Sequence, residues 1–244
     1  MSPAVRRPRR RSSPEFRALW RVRYLALVFA ILQLSTIAAE LFTSFSFKPE
    51  YDWITNTISE LGVGHCTTEF DPRKGVEACS RLAGTMNGAM IFSGACLIAL
   101  TVILRRSRGF SRLPGVLWVL AGAGSIATGF ITLDSSPVLH QLVSMPLFFG
   151  GPLAIALGSF QFDGRVRLLG AMLGFSTLVL GVIFSTTDLA YGYGGAVERL
   201  VVWPSLGWVV FVAARARKEA RREMSRRVPE PQEAARDEVA AGRE

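Results

Sequence analysis

The amino-acid sequence predicts an all-α fold, a polytopic membrane bundle of six transmembrane helices. Three observations predict it. Charges collect at the two ends and in short intervals, leaving long apolar runs between them. Half of the residues are hydrophobic and the mean hydropathy is +0.31, whereas a soluble domain of this length interrupts its apolar stretches to build a polar shell. The ten-residue alternation of barrel strands is missing, and a backbone that must satisfy itself in lipid then forms helices.

Residues 1–23 are a basic tail, rich in Pro and Ser, with arginines at 6, 7, 9, 10, 11, 17, 21 and 23. Apolar runs follow at 24–43, 82–104, 113–133, 138–160, 168–187 and roughly 197–214. A hydrocarbon core of about 30 Å needs about 20 helical residues. Five runs meet that length. The sixth is strictly apolar only over 200–214, so Arg199 is expected to snorkel outward and complete it. The first run reads as an uncleaved span, because its basic leader is long and Thr36-Ile37-Ala38 is a poor cleavage site. The transmembrane domain thus covers 24–214, with its long connection at 44–81. Residues 215–227 can extend the sixth helix as a basic stub. Beyond Val228 the Pro-, Glu- and Ala-rich tail is expected to be disordered.

Lysine and arginine set the orientation. With the N-terminus inside, the two tails and the second and fourth connections hold 23 of the 28. Only Lys48, Arg73, Lys74, Arg81 and Arg199 remain outside. The positive-inside rule therefore predicts a plasma-membrane protein with both termini cytoplasmic. The same placement explains the net charge of +9 without nucleic acid: the arginines border apolar runs instead of lining a soluble face. Membrane lipids are the expected partners, and a membrane protein is a further candidate.

Small residues four apart are frequent: Gly84 and Gly88, then Ala121, Ser125 and Gly129, then Gly150, Ala154 and Gly158, then Gly170 and Gly174. They let helix backbones approach closely within the bundle. Pro146 and Pro152 should kink the fourth span. In the 44–81 connection, Trp53, Ile54, Ile58 and Leu61 suit a short interfacial helix ended by Gly62. Cys66 and Cys79 share this loop on the oxidising side, and the turn at 71–75 can bring them together, so a disulfide is expected.

Polar groups converge toward the same end. Glu40 lies near the outer end of the first span, Asp134 ends the third, His140 opens the fourth, and Asp188 follows the fifth. Ser59 and Glu60 hang from the adjoining loop. Ionisable groups at membrane depth are costly, so their clustering points to function; carboxylates and Ser-Pro turns are equally ordinary at helix ends in contact with water. Asn87, inside the second span, suits an interhelical hydrogen bond.

The stretch Asn56-Thr57-Ile58-Ser59-Glu60-Leu61-Gly62 after a first span resembles the hallmark of a multi-pass prokaryotic family catalogued as domain of unknown function 998. The likeness continues at Gly129-Phe130, Asp134 and His140, and covers roughly 24–214. Thr132 stands where an aromatic-Pro approach to the acid is expected, and the Cys-bearing loop is longer. The Ile-Ser-acid segment is remotely similar to the Frag/DRAM/Sfk group, which implies six spans and lipid handling. Neither resemblance implies a reaction.

Two functions fit these residues. One is a non-enzymatic envelope protein that binds or organises lipid or a partner. The other is an outer-leaflet lipid hydrolase with Ser59 or a metal-bound water as nucleophile, His140 as base and Asp134 orienting it. Glu60 is expected to approach His140 or Asp134. No nucleophile elbow, HExxH or three-histidine set is present, so neither cofactor nor metal is expected. A transporter fits less well, since no repeat and no mid-span acid is visible in the sequence.

Overall fold

A computed structural model describes residues 14–66, 78–106, 111–186 and 189–227. The turn at 71–75, Asp188 and the tails before 14 and after 227 lie outside the described residues. Six helical segments are long and apolar enough to cross a membrane: Trp20–Ser46, Ala83–Arg106, Arg112–Phe130, Pro137–Gln161, Gly164–Thr186 and Gly192–Arg222.

The first span is two helices, α1 (Pro14–Leu32) and α2 (Ser35–Thr43). Gln33 marks the break and uses it: its Nε2 donates to the Leu206 carbonyl at 3.0 Å, and its own carbonyl accepts from Ser93 Oγ at 2.7 Å. A polar side chain mid-span thereby ties the first span to two others. The second and third spans are α3 (Ala83–Arg106) and α4 (Arg112–Phe130), the most extensively packed pair. A Cβ placed on Gly122 would lie 2.8 Å from the Gly94 carbonyl, so these backbones meet at a distance that only small residues allow. Ser125 adds a hydrogen bond to the Met90 carbonyl at 2.8 Å. Gly84 and Gly88 are different: space around them is open, so the expected packing face starts further along α3.

The fourth span is α5 (Pro137–Met145), a π-helical turn at Pro146–Gly150, and α6 (Gly151–Gly158). Prolines at 146 and 152 remove two N–H donors, and the widened turn between them is the expected irregularity. The fifth span is α7 (Gly164–Thr186). The sixth belongs to α8 (Leu189–Arg227), which continues into the basic stub and is much longer than its strictly apolar part.

Two apolar cores fill the bundle. Near the tails, Ala26, Leu100, Leu104, Trp118, Ile155 and Val209 pack together. At the opposite end, Phe47, Tyr51, Ile58, Leu61, Met86 and Val201 join the long connection to the helices. That connection forms a cap. Its anchors are a two-stranded antiparallel pair, β1 (Phe47–Lys48) with β2 (Cys79–Ser80), and the Cys66–Cys79 disulfide that the loop predicted. The interfacial helix is reduced to one 3₁₀ turn, Ser59–Gly62. Ile58 and Leu61, expected at the membrane surface, are buried against the bundle, while Ile54 stays exposed. Burying two more apolar side chains is the stronger driving force there.

Candidate functional site at the capped end

Three groups of side chains hold the cap, and each begins at a helix end. The first centres on Arg199, early in α8. The expected snorkelling does not occur: the residue is 7% exposed and turns inward. Its Nε donates to Glu40 Oε1 at 2.6 Å, and Nη1 donates to the carbonyls of Trp53 at 2.7 Å and Asn56 at 3.1 Å. Its Nη2 donates to the Tyr51 hydroxyl, which itself donates to the Thr57 carbonyl at 2.9 Å. The physical reason is satisfaction: the cap supplies acceptors in the fixed directions of the guanidinium, so water is not required. The Trp53 ring adds a cation–π contact at 4.8 Å. Glu40 is fully buried, and its second oxygen accepts from Trp203 Nε1 at 3.1 Å. Tyr51 is held protonated, because burial pushes its phenol up by more than the neighbouring Arg199 pulls it down.

The backbone approach is close here as well. Ala196 N–H donates to the Ile54 carbonyl at 3.0 Å, and any Cβ on Gly195 would collide with the Asn56 carbonyl. Glycine at 195 is what lets the cap lie directly on α8.

The second group joins Ser59, His140 and Glu198. His140 Nε2 lies 3.0 Å from Ser59 Oγ, and Ser59 Oγ lies 3.2 Å from Glu198 Oε1. The other Glu198 oxygen accepts the Ile58 N–H. His140 Nδ1 faces the Ile131 carbonyl, which can only accept, so Nδ1 carries a hydrogen. The sequence-derived Ser59–His140 pairing is therefore present. The expectation that Asp134 orients the imidazole is corrected: a main-chain carbonyl occupies that position. Glu60, expected beside His140 or Asp134, accepts from Asn56 Nδ2 at 2.6 Å, within its own loop. The acid that meets the serine is Glu198.

The third group is Asp134. Its Oδ2 accepts the N–H groups of Gly64 at 2.9 Å and His65 at 3.0 Å, with His65 Nδ1 at 3.2 Å. Partial burial alone would raise its pKa. Hydrogen bonds from Thr132, the two main-chain amides and the His65 ring outweigh that and lower it to about 2. Asp134 is a latch for the end of the cap. Asn87, placed in an interhelical bond by its sequence, also serves the cap: Nδ2 donates to the Gly62 carbonyl at 2.9 Å.

Beneath Ser59 lies a small cavity of about 30 Å³, room for a couple of waters at about 10–15 Å³ each. Residues around it include Ser59, Ser93, Ser125, Thr128, Glu198 and Phe148.

No motif in the sequence singles out Glu198, and Arg199 reads as outward-facing, because both precede the strictly apolar part of the sixth span and look like a water-facing end. The signal that could have found them is their adjacency to a glycine pair, Gly194-Gly195, which marks a close backbone approach. No group of three or more His, Cys, Asp or Glu side chains suited to a metal occurs among the described residues.

Comparison with curated proteins and with solved structures gives no match. The family comparison does: its model spans residues 28–215, from the first span through the sixth and including the whole cap, so the chain belongs to the family described as Protein of unknown function (DUF998).

Proposed function

We propose that this chain is a lipid-binding protein of the cell envelope, sitting in the plasma membrane with its cap outside and both termini in the cytoplasm. One observation carries the binding role. The cap is locked to the bundle by buried polar groups, yet it and the adjoining helix end expose large apolar side chains: Phe42, Phe45 (91% exposed), Trp53 and Ile54. A rigid apolar rim at the membrane surface meets lipid without paying to order itself. The positive-inside asymmetry supports the orientation. A disulfide in the cap supports it independently, since such bonds persist on the oxidising side.

The test is native mass spectrometry of the purified protein and of a Phe45→Ser/Ile54→Ser double variant. Retained phospholipid should fall sharply in the variant while thermal stability stays near wild type. Equal lipid retention would remove the rim from consideration.

The Ser59–His140 contact favours a second reading, an acyl hydrolase. With Nδ1 protonated against Ile131, Nε2 presents its lone pair to the Ser59 hydroxyl. Ser59 Oγ would form the acyl bond as Nε2 takes its proton. That proton would pass to the leaving alcohol, and water would release the acid by the reverse steps. Turnover of a chromogenic lipid ester that disappears in both Ser59→Ala and His140→Ala supports this reading. Turnover that survives in either variant excludes it.

A further inference from the structure

The fourth span turns one side toward the space beneath Ser59. His140, Ser144 and Leu147 follow one another at i, i+4 and i+7, so they fall along one side of the span. His140 Nε2 lies 3.0 Å from Ser59 Oγ, and the next two residues on that side line the cavity. Leu147 and its neighbour Phe148 belong to the π-helical turn Pro146–Gly150. Such turns occur frequently at functional sites, and here two of its apolar side chains form part of the wall.

That wall is mostly carbon. Ile58, Met90, Leu147, Phe148, Val202 and Leu206 supply it. Thr36, Ser93, Ser125, Thr128 and Ser144 also line the space, but each hydroxyl donates to a main-chain carbonyl, at 2.7 to 3.4 Å. The two oxygens of Glu198 are engaged as well, by Ser59 and by the Ile58 N–H. The polar groups are satisfied within the protein, so an apolar occupant leaves no donor stranded. Ser59 lines the cavity and His140 does not. The hydroxyl therefore has a base on one side and an apolar space on another, which suits attack on an acyl carbon that enters from the cavity. Access lies on the same side: Ser59, Ser144 and Leu147 are half-buried, whereas the other lining residues are buried.

We propose that this cavity is the acyl subsite of Ser59, taking the carbon chain of an ester whose acyl group has up to about four carbons. The proposal rests on the acyl-hydrolase reading of the Ser59–His140 contact. Size sets the limit. A volume of about 30 Å³ holds two or three water-sized groups at about 10–15 Å³ each, and a methyl or methylene is roughly of that size. With the carbonyl carbon at Ser59 Oγ, two or three further carbons fill the space, as in a propionyl or butyryl group. A longer chain meets the buried wall.

The experiment is hydrolysis of p-nitrophenyl acetate, butyrate and octanoate by the purified, lipid-reconstituted protein, with the Ser59→Ala rate subtracted at each length. Butyrate should exceed octanoate by about tenfold or more in kcat/KM, the scale of a misfit in an apolar pocket. Phe148→Ala enlarges the cavity and should reverse that order. If that variant does not fold, Val202→Leu probes the same wall. Its added methylene takes up space and should lower kcat/KM for butyrate several-fold more than for acetate. An octanoate preference in the wild-type protein, or a chain-length profile unchanged in a folded variant, overturns the acyl subsite and leaves the hydrolase reading intact. Turnover that is equal in wild type and Ser59→Ala at every length removes the hydrolase reading, and the subsite with it.

Discussion

Arg199 is the residue on which most of the cap's geometry depends. Four of its hydrogen bonds reach a carboxylate, a phenol and two cap carbonyls, all of them buried or half-buried. Removing the guanidinium leaves Glu40 charged and two carbonyls without donors, a loss of about 3–5 kcal/mol for a broken buried pair. Arg199→Ala should therefore lower the unfolding free energy by that amount, and Arg199→Lys should recover only part, because an ammonium cannot reproduce the planar fork. Asp134 makes a smaller, pH-dependent contribution. Its folded pKa of about 2 lies below the unfolded value, so its stabilisation is complete above about pH 4 and fades as pH falls toward 2. The shift corresponds to about 2 kcal/mol at neutral pH. Asp134→Asn should cost about that much at pH 7 and almost nothing near pH 2, measured by denaturant unfolding at the two values.

At the scale of elements, the cap behaves as a seventh piece of the bundle and not as a connector. Its backbone rests on α8 at Gly195, so Gly195→Ala must push the Asn56 carbonyl away and with it one of the Arg199 acceptors. A cost of about 1–3 kcal/mol is expected, visible as a lower unfolding temperature; an unchanged temperature would show that the cap has room to move. The disulfide closes the loop from the other side, across a separation of 13 residues. Its removal by Cys66→Ser/Cys79→Ser should cost about 3 kcal/mol of loop-closure entropy. These elements differ in how much the sequence revealed. Helix positions, the proline irregularity in the fourth span and the cysteine pairing follow from local patterns, which act over a few residues. The Ser59–His140 contact was legible because both ends sit at the mouth of the bundle and carry complementary chemistry. Glu198 and Arg199 were not, since their burial depends on a cap folding back from about 140 positions earlier in the chain. Asp134 was recognised as special but given the wrong partner: proximity in sequence favoured His140, whereas the free amides of Gly64 and His65 are the better match for a carboxylate.

For the whole molecule, six helices are long and apolar enough to cross a membrane, and the cap joins the first of them to the second. Reporter fusions after Arg105 and Arg165 should read cytoplasmic, and one after Gly75 external; an external readout at Arg105 would reverse the proposed orientation. The two apolar cores carry the helix packing, and the buried side chains of Gln33, Ser93 and Ser125 tie neighbouring spans together through main-chain carbonyls. The central claim is that buried polar groups hold the cap rigidly on the bundle, making a preformed surface. Hydrogen exchange measured by mass spectrometry over residues 51–64 in the lipid-reconstituted protein tests it most directly. Amides such as those of Ile58, Gly64 and Asn56 are bonded to Glu198, Asp134 and the Asp52 carbonyl, and should exchange as slowly as those of the spans, with protection lost in Arg199→Ala. Exchange in the wild-type protein as fast as in an open loop would contradict the account.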